Sequence, residues 1–218
     1  MKKNITIAID GTAASGKGTL AKKLAKEFNY AHLDTGKLYR ASALIIKEKD
    51  INYKNLKEII KIIKDYNFTD FDFNNDKLKS DKIGRLASLI SGYKELREIL
   101  LLSQRKFANK RHSKRLGVIL DGRDIGSVVL PEANIKFFVT ASLRVRAERR
   151  WKELISLGQS TIKRHVEKDL RDRDERDSKR KHSPLIISPD AVLIDTTNLN
   201  ADEVFLLAKN NVEEYLRY

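Results

Sequence analysis

Cysteine is absent from the 218-residue sequence, which excludes disulfides, catalysis by a thiolate and zinc sites built from thiolates. The four histidines are scattered and show no spacing typical of metal ligands. No apolar run reaches about 18 residues, the length that a membrane-spanning helix needs. The first residues also enter an apolar strand too soon to form a signal peptide. These absences predict a cytoplasmic protein with no membrane partner and no resident metal site.

Positive charge is abundant, since 44 lysines and arginines oppose 30 aspartates and glutamates and give a formal net charge of +14. This balance indicates a polyanionic partner, either a nucleic acid or the phosphates of a nucleotide. The lysines are spread along the chain, as in residues 47–64, which is typical of a solvated surface. The arginines concentrate in residues 144–180, and their planar guanidinium groups suit paired hydrogen bonds to phosphate.

Apolar runs of strand length alternate with helical patterns along most of the chain. The alternation predicts an α/β fold, a doubly wound parallel sheet of five strands with helices on both faces. At this length one domain is expected. The predicted strands lie at residues 5–9, 31–33, 118–120, 136–139 and 191–194, and the clearest helices at 19–28, 142–157 and 200–215.

Two segments interrupt the alternation, at about residues 51–115 and 158–189. The first holds helical stretches at 56–63 and 83–107, joined by residues 67–75, which fit neither pattern, and is interpreted as a substrate-side insertion. The second holds a predicted helix at 160–170. The core of the single domain, residues 1–218, then comprises residues 1–50, 116–157 and 190–218.

A charged run follows the second predicted helix, at residues 171–177, and shows no apolar periodicity. Alternating charges by themselves indicate an ordinary solvated helix face. Together with the phosphate-binding motif described next, they favour a lid that carries arginines to the site.

One glycine-rich segment follows the first predicted strand and precedes a helix. Its glycines let successive backbone N–H groups point at an anion, and Lys17 reaches the β- and γ-phosphates of a nucleoside triphosphate. The alternative, a turn that only joins strand to helix, fits the spacing less well. The residue after this lysine is usually Ser or Thr, but here it is Gly18, and the hydroxyl stands one position later, on Thr19. This order resembles that of small nucleoside monophosphate kinases. This P-loop consists of Gly11, Thr12, Ala13, Ala14, Ser15, Gly16, Lys17, Gly18 and Thr19.

Two further strands end in acidic residues. Asp34 precedes Thr35 and a helix with Tyr39 and Arg40, which together could face an acceptor phosphate or simply cap a helix. Asp121 stands at the end of the third strand, where P-loop proteins place the carboxylate that orients Mg²⁺ and its waters. Any metal is therefore expected as Mg²⁺ bound with ATP, near Thr19 and Asp121.

Phosphoryl transfer depends on alignment and on cations placed around the moving group, so a surplus of arginines is expected near one site. No Ser-His-Asp or Cys-His arrangement competes with this interpretation. The arginines whose segments can converge at the carboxyl edge of the sheet are Arg40, Arg123, Arg173, Arg176 and Arg180.

Four blocks of sequence, residues 10–19, 33–40, 121–131 and 173–177, together resemble bacterial cytidylate kinases in order and spacing. The resemblance runs from about residue 4 to the C-terminal helix. It implies a P-loop kinase fold with a monophosphate-binding insertion and a lid. It also implies Mg²⁺-dependent transfer of the γ-phosphoryl group of ATP to CMP and dCMP, without a stable nucleic-acid partner, by a monomer.

The resemblance also assigns roles to individual residues. Asp124 would accept a hydrogen bond from the amino group of cytosine, and Ser88 and Arg97 would address the ring acceptors, although both could be ordinary surface residues of a long helix. Arg173 and Asp177 match positions near the ribose. Positions around the acceptor phosphate are Thr35, Tyr39, Arg40, Arg123 and Arg180.

The catalytic charge would be held by Lys17 together with Arg123, Arg173 and Arg180, while Asp121 organises the metal. Residues 66–84 depart from the family pattern, because they are short and rich in Asn and Lys. This predicts a trimmed antiparallel insert and leaves the affinity for the monophosphate open. The rival hypotheses are a kinase for UMP, AMP or shikimate, and a P-loop protein that binds nucleic acid.

Overall fold

Five parallel strands form the centre of the molecule, as the sequence predicts. The computed structural model describes residues 5–68, 71–110, 112 and 115–217. The strands are β1 (Ile5–Gly11), β2 (Ala31–Asp34), β3 (Gly117–Asp121), β4 (Ile135–Thr140) and β5 (Val192–Asp195). Their order in the sheet is β2-β3-β1-β4-β5, and every pair is parallel. The α/β fold class is therefore confirmed.

Eight α-helices surround and extend this sheet within the described ranges. A 3₁₀ turn (Asp76–Lys79) lies between the third and fourth helices, and a π-helical turn (Ile125–Val129) follows β3. None of the described helices is long and apolar enough to cross a membrane. The helices are α1 (Lys17–Glu27), α2 (Thr35–Glu48), α3 (Leu56–Asp65), α4 (Asp81–Ile90), α5 (Lys94–Asn109), α6 (Leu143–Ser156), α7 (Lys163–Lys179) and α8 (Ala201–Leu216).

Both faces of the sheet are covered, which explains why the central strands read as continuous apolar runs. Ile7 and Ile9 of β1 are fully buried in a cluster with α1 and α8. Ala8, which points the other way, packs with Ala108 of α5 and with the π-helical turn. Burial of apolar surface on both sides fixes β1 as the central strand.

The register of the strands brings three chain segments to one edge. Asp34 at the end of β2 lies beside Asp121 at the end of β3, and Asp121 lies beside Ile9 of β1. The loop after β1 therefore leaves the sheet next to both carboxylates. In parallel α/β sheets this carboxyl edge is where ligands bind.

The insertion differs from the prediction in one respect. A single helical stretch was expected at residues 83–107, but the chain forms two helices, α4 and α5, separated at residues 91–93. The Ser91 hydroxyl donates to the carbonyl of Ser88 and Tyr93 is extended, so Gly92 lies in a turn. This break lets Ile83 of α4 and Leu96 of α5 face the same apolar cluster with α3.

The charged run at residues 171–177 belongs to α7, which therefore continues well past the predicted end at residue 170. Val166 and Leu170 pack against α6. The charged residues beyond them form pairs four residues apart, such as Lys168 with Asp172 and Lys179 with Glu175, which stabilise a helix without apolar periodicity.

A few residues lie outside the described ranges, namely 1–4, 69–70, 111, 113–114 and 218. They fall within the predicted units 1–50, 51–115 and 190–218 and within the unassigned segment 67–75. Only the other residues of these units are described. Within 71–80 the chain forms turns and the 3₁₀ turn, and no strand. The division into core, insertion and lid stays a prediction.

Candidate active site

The loop after β1 has a backbone that few residues allow. Gly11 has φ +153°, and a Cβ there would lie 2.0 Å from the carbonyl oxygen of Val139. Gly16, with φ +94°, precedes the first turn of α1. Ala14 also takes a positive φ, 59°. The loop therefore curls at the N-terminus of α1 as an anion-binding cradle requires.

Lys17 begins α1 and reaches back over this loop, where its Nζ donates to the carbonyl oxygen of Thr12 at 3.4 Å. Burial and the nearby Arg123 lower the pKa of Lys17 to about 7. The hydroxyls of Thr12 and Ser15 are buried and have no hydrogen-bond partner among the described residues. Each of these groups is a donor that a bound phosphate would satisfy.

Two carboxylates stand beside the loop. The Oδ2 atom of Asp121 lies 2.7 Å from Nε2 of His32, and a Cβ on Gly18 would lie 3.9 Å from Oδ1 of Asp121. Burial and the charge of Asp121 raise the pKa of Asp34. Oxygen donors next to the first turn of α1 are the ligand type that Mg²⁺ prefers, so the residues fit this ion.

Thr35 joins the two strand ends. Its hydroxyl is buried and donates to the carbonyl oxygen of Asp121 at 2.8 Å. It therefore fixes β2 against β3 in this structure, and its expected contact with an acceptor phosphate stays a prediction.

Three of the predicted arginines meet around one buried carboxylate. Nε of Arg123 donates to Oδ2 of Asp177 at 3.0 Å. Nε of Arg173 lies 3.8 Å from the same oxygen, and Nη1 of Arg180 lies 3.7 Å from Oδ1. Although burial acts in the opposite direction, these guanidinium groups hold the pKa of Asp177 below its usual range. Asp177 therefore holds together three cations that would repel one another.

The residues assigned to the base form a buried donor–acceptor pair. Nη2 of Arg97 donates to Oδ2 of Asp124 at 2.6 Å, and both side chains are less than a tenth exposed. The guanidinium of Arg97 lies over the ring of Tyr39, 5.4 Å from its centre. Burial raises the pKa of Tyr39 to about 12, so the phenol stays neutral. These side chains line a cavity of about 280 Å³.

Ser88 contacts the lid segment instead of Arg97. Nε and Nη2 of Arg176 both lie 3.3 Å from its Oγ atom. The sequence placed Arg176 only among the arginines near the phosphates, because its spacing does not show which neighbour it faces. Arg40 donates to the carbonyl oxygen of Leu78 at 2.5 Å and lines the larger of two clefts described next.

Two clefts meet at the P-loop. One, of about 530 Å³, is lined by Lys17, Asp121 and Arg123 and by the insertion. The other, of about 430 Å³, lies between the P-loop, α6 and the start of α8. Ala14, Arg150 and Glu153 line both clefts. Ligands in the two clefts would therefore meet at these shared residues, beside Ala14 of the P-loop.

Comparison with known proteins decides the family. The model of the cytidylate kinase family matches residues 7–214. The chain belongs to the cytidylate kinase family. The cytidylate kinase of Fusobacterium nucleatum is 40% identical over 219 residues, covering 97% of this chain and 98% of that protein. The cytidylate kinase of Rhodospirillum rubrum is 43% identical over 202 residues, covering 93% and 94%.

A solved structure supports the fold. The structure of a sugar kinase from Janibacter sp. aligns with a TM-score of 0.53 and 12% identity, covering 97% of this chain and 95% of that one.

Membership in the cytidylate kinase family confirms the predicted enzyme class, an ATP-dependent CMP kinase.

Several residues that contact the site were not predicted from the sequence. Asp10 is buried, and its carboxylate accepts hydrogen bonds from the backbone N–H groups of Ile125 and Gly126 at 2.8 and 2.7 Å. It therefore ties the P-loop strand to the loop that carries Asp124. Its position between an apolar strand and the P-loop was a usable signal, because a carboxylate rarely enters a core without donors.

Arg146 and Arg150 were also missed, although they lie in the arginine-rich residues 144–180. Nη1 of Arg146 contacts the carbonyl oxygen of Ala13 at 3.2 Å and a carboxylate oxygen of Asp174 at 2.7 Å. It thus connects the P-loop with α7. In the α6 sequence the apolar periodicity predicts which residues pack on the core, but it does not indicate what these two arginines contact.

Proposed function

We propose that this chain transfers the γ-phosphoryl group of ATP to CMP, and also to dCMP, with Mg²⁺ bound beside the P-loop. The observation that supports the proposal best is the meeting of two clefts at the P-loop, where Ala14, Arg150 and Glu153 line both. A hydrolase needs one such cleft, whereas transfer between two nucleotides needs two that share a junction.

The smaller cleft suits the donor. It lies against Gly16 and Thr19 at the start of α1, so the triphosphate of ATP would lie in the P-loop and its nucleoside between α6 and α8. The buried hydroxyls of Thr12 and Ser15 and the ammonium of Lys17 supply donors to the phosphates. Binding there would satisfy the Thr12 and Ser15 hydroxyls, which have no hydrogen-bond partner among the described residues.

Thr19 and Asp121 would hold Mg²⁺. The ion supplies charge that screens the phosphate oxygens during transfer. The hydrogen bond between His32 and Asp121 orients the carboxylate. Asp34, whose pKa is raised, adds a second oxygen donor within reach of the same edge.

Charge that develops between donor and acceptor would be stabilised by the arginines of the larger cleft. Arg123 and Arg173 line it directly, and Asp177 fixes their positions. Arg150 lines both clefts and can contact either ligand. The acceptor phosphate is already an anion, so no general base is required. Preorganised cations of this kind provide most of the catalysis in phosphoryl transfer.

Asp124 and Arg97 would read the base. Cytosine offers an amino donor to a carboxylate and ring acceptors to a guanidinium, and the two side chains already lie 2.6 Å apart. Uracil would present a carbonyl oxygen to Asp124, which is repulsive. A buried polar pair of this kind can discriminate by about 10⁴-fold, because the wrong base leaves its groups unpaired.

The test is ADP release from Mg·ATP with CMP, dCMP, UMP and AMP offered separately, and with no acceptor. We expect turnover with CMP and dCMP well above that with UMP and AMP. In Asp124→Asn, kcat/KM for CMP should fall by about 10²-fold or more. Asp65→Asn, an identical change at the exposed end of α3, is the matched control and should leave all four values unchanged.

Equal turnover with UMP would leave a kinase but contradict the role of Asp124. Hydrolysis that needs no acceptor would contradict the assignment of the larger cleft. The monomeric state, the cytoplasmic location and the closing motion of residues 158–189 stay predictions. Closure would serve to exclude water from the phosphates.

A further inference from the structure

A third concave surface lies outside the two clefts of the active site. It has a volume of about 690 Å³ and is formed by α1, β2 and the described residues Phe107, Lys110, His112 and Arg115 at and after the end of α5. We call it the α1–α5 cleft. Its basic residues are Lys22, Lys26, His32, Lys110, His112 and Arg115.

The composition of this cleft is one-sided. Of the ten described residues that line it, four are lysine or arginine and two are histidine, and none of these ten is a carboxylate. The chain as a whole has 30 acidic residues among 218, so a surface with evenly mixed charges would include one or two here. The cleft therefore carries a concentrated positive potential, which concave walls focus.

Ion pairing also distinguishes the lysines and the arginine of the α1–α5 cleft. No ion pair among the described residues involves Lys22, Lys26, Lys110 or Arg115. On the same helix, Lys23 pairs with Asp202 of α8 at 2.5 Å. Within α1, the lysine that faces α8 therefore has an acidic partner, whereas Lys22 and Lys26 of the cleft have none among the described residues.

Several side chains in the cleft are held in place. Nη1 of Arg115 donates to Oδ1 of Asn29 at 2.8 Å. Nε2 of His112 lies 2.9 Å from the carbonyl oxygen of Phe107, and the two rings are 4.5 Å apart at their centres. The cleft thus combines an oriented guanidinium with an aromatic wall, instead of consisting of mobile lysines alone.

We propose that the α1–α5 cleft is a second anion site, which binds a ligand with several adjacent phosphates. Four cations around one concavity match the closely spaced charges of a polyphosphate chain. A volume of about 690 Å³ is that of a small-molecule site. A nucleic acid would need a longer basic stripe than this single concavity. The shared chemistry could come from an inorganic polyphosphate or from a nucleotide.

The cleft touches the active site at two points. Lys22 lines both the α1–α5 cleft and the larger active-site cleft. His32 lines the α1–α5 cleft, and its Nε2 atom lies 2.7 Å from Asp121. The α1–α5 cleft is therefore separate from the P-loop, but it is adjacent to the active site through Lys22 and through His32, which contacts Asp121.

Isothermal titration with inorganic tripolyphosphate tests the proposal. Because the P-loop also binds phosphates, the titration is done on Lys17→Ala protein as well as on the unchanged chain. We expect binding to persist in Lys17→Ala. In the double variant Lys26→Gln/Lys110→Gln, made in the same Lys17→Ala background, affinity should fall about tenfold or more, since charge-assisted contacts are lost.

The matched control is Lys61→Gln/Lys64→Gln, which removes two charges from exposed lysines of α3 that also lack ion partners among the described residues. An equal loss in this control would show an effect of net charge alone and overturn the site. Persistence of full affinity in the Lys26/Lys110 variant would overturn it too. Arg115→Gln provides a second, independent variant, and far-ultraviolet circular dichroism checks that each remains folded.

Two further titrations in the Lys17→Ala background identify the source of the phosphates. Tighter binding of ATP than of tripolyphosphate, lost on His112→Ala, would indicate a nucleotide whose base stacks on the aromatic wall. Tighter binding of tripolyphosphate would indicate an inorganic chain. Binding of a short single-stranded RNA that exceeds both would overturn the proposal in favour of a nucleic-acid surface. Failure of CMP phosphorylation would leave these results unaffected.

Discussion

The two halves of the active site are built in opposite ways. The proposed donor half is one short segment, residues 11–19, in which backbone N–H groups at the start of α1 would bind the phosphates. The acceptor half is made of side chains from distant parts of the chain, such as Arg97 with Asp124 and Arg123 with Asp177. A site built from backbone groups keeps its geometry when many of its side chains change, whereas a network of side chains loses contacts when one member is replaced. Under the proposed function, the donor half would therefore set the reaction class, and the acceptor half would set the substrate.

The largest expected effect concerns Lys17, the cation of the donor half. Lys17→Ala should lower kcat by about 10³-fold, because it removes the cation aimed at the transferred group. Lys23→Ala on the same helix, where the side chain pairs with Asp202, is the control and should keep its activity. Steady-state kinetics measures both. A loss below tenfold in Lys17→Ala would show that the arginines carry the charge without it.

A change in the acceptor half should cost stability as well as activity. Asp177→Ala leaves Arg123, Arg173 and Arg180 close together without their shared carboxylate, and should lower the free energy of unfolding by about 3 kcal/mol. Sulfate or CMP should restore part of this loss, because an anion replaces the carboxylate. Urea denaturation with and without these ligands measures it. An unchanged midpoint would mean that solvent already screens these cations.

The backbone character of the donor half can be tested with two glycines. Gly11→Ala would place a Cβ 2.0 Å from a backbone oxygen and should lower the free energy of unfolding by about 3 kcal/mol. Gly16→Ala meets nothing within 4 Å, so only its positive φ costs energy, about 1 kcal/mol. Thermal or urea unfolding compares them. Equal losses would show that conformational strain, not the close approach to β4, is the constraint at Gly11.

The smallest expected effect is the uptake of a proton by Lys17 when ATP binds. The Lys17 pKa of about 7 lies below the value of 10.5 in the unfolded chain, so the unfolded state binds the extra proton between these pH values. This lysine therefore makes stability rise with pH across that window. Phosphate attracts the charged form, so ATP binding at pH 8 should take up close to one proton.

Calorimetry in two buffers of different ionisation enthalpy measures this uptake. Lys17→Ala should show none. Uptake that persists in the variant would assign the proton to another group, such as Asp34, whose pKa is also raised.

Prediction from the sequence succeeded where the signal was local. The five strands, the P-loop and the carboxylates at the ends of β2 and β3 were located from apolar runs and the residues that follow them. It failed where packing overrode local pattern. The break at Gly92 is invisible in a continuous helical pattern, and α7 is helical through its charged residues because Val166 and Leu170 anchor it on α6.

By itself the sequence determined the class of the protein, because the P-loop works through its backbone and its spacing is written in consecutive residues. Tertiary structure alone decided which polar groups meet. The pairing of Asp10 with the loop of Asp124, the contact of Arg176 with Ser88 and the hydrogen bond of His32 with Asp121 join residues 88 to 116 positions apart. Such contacts depend on sheet register and helix packing, and these are set by the burial of the whole core.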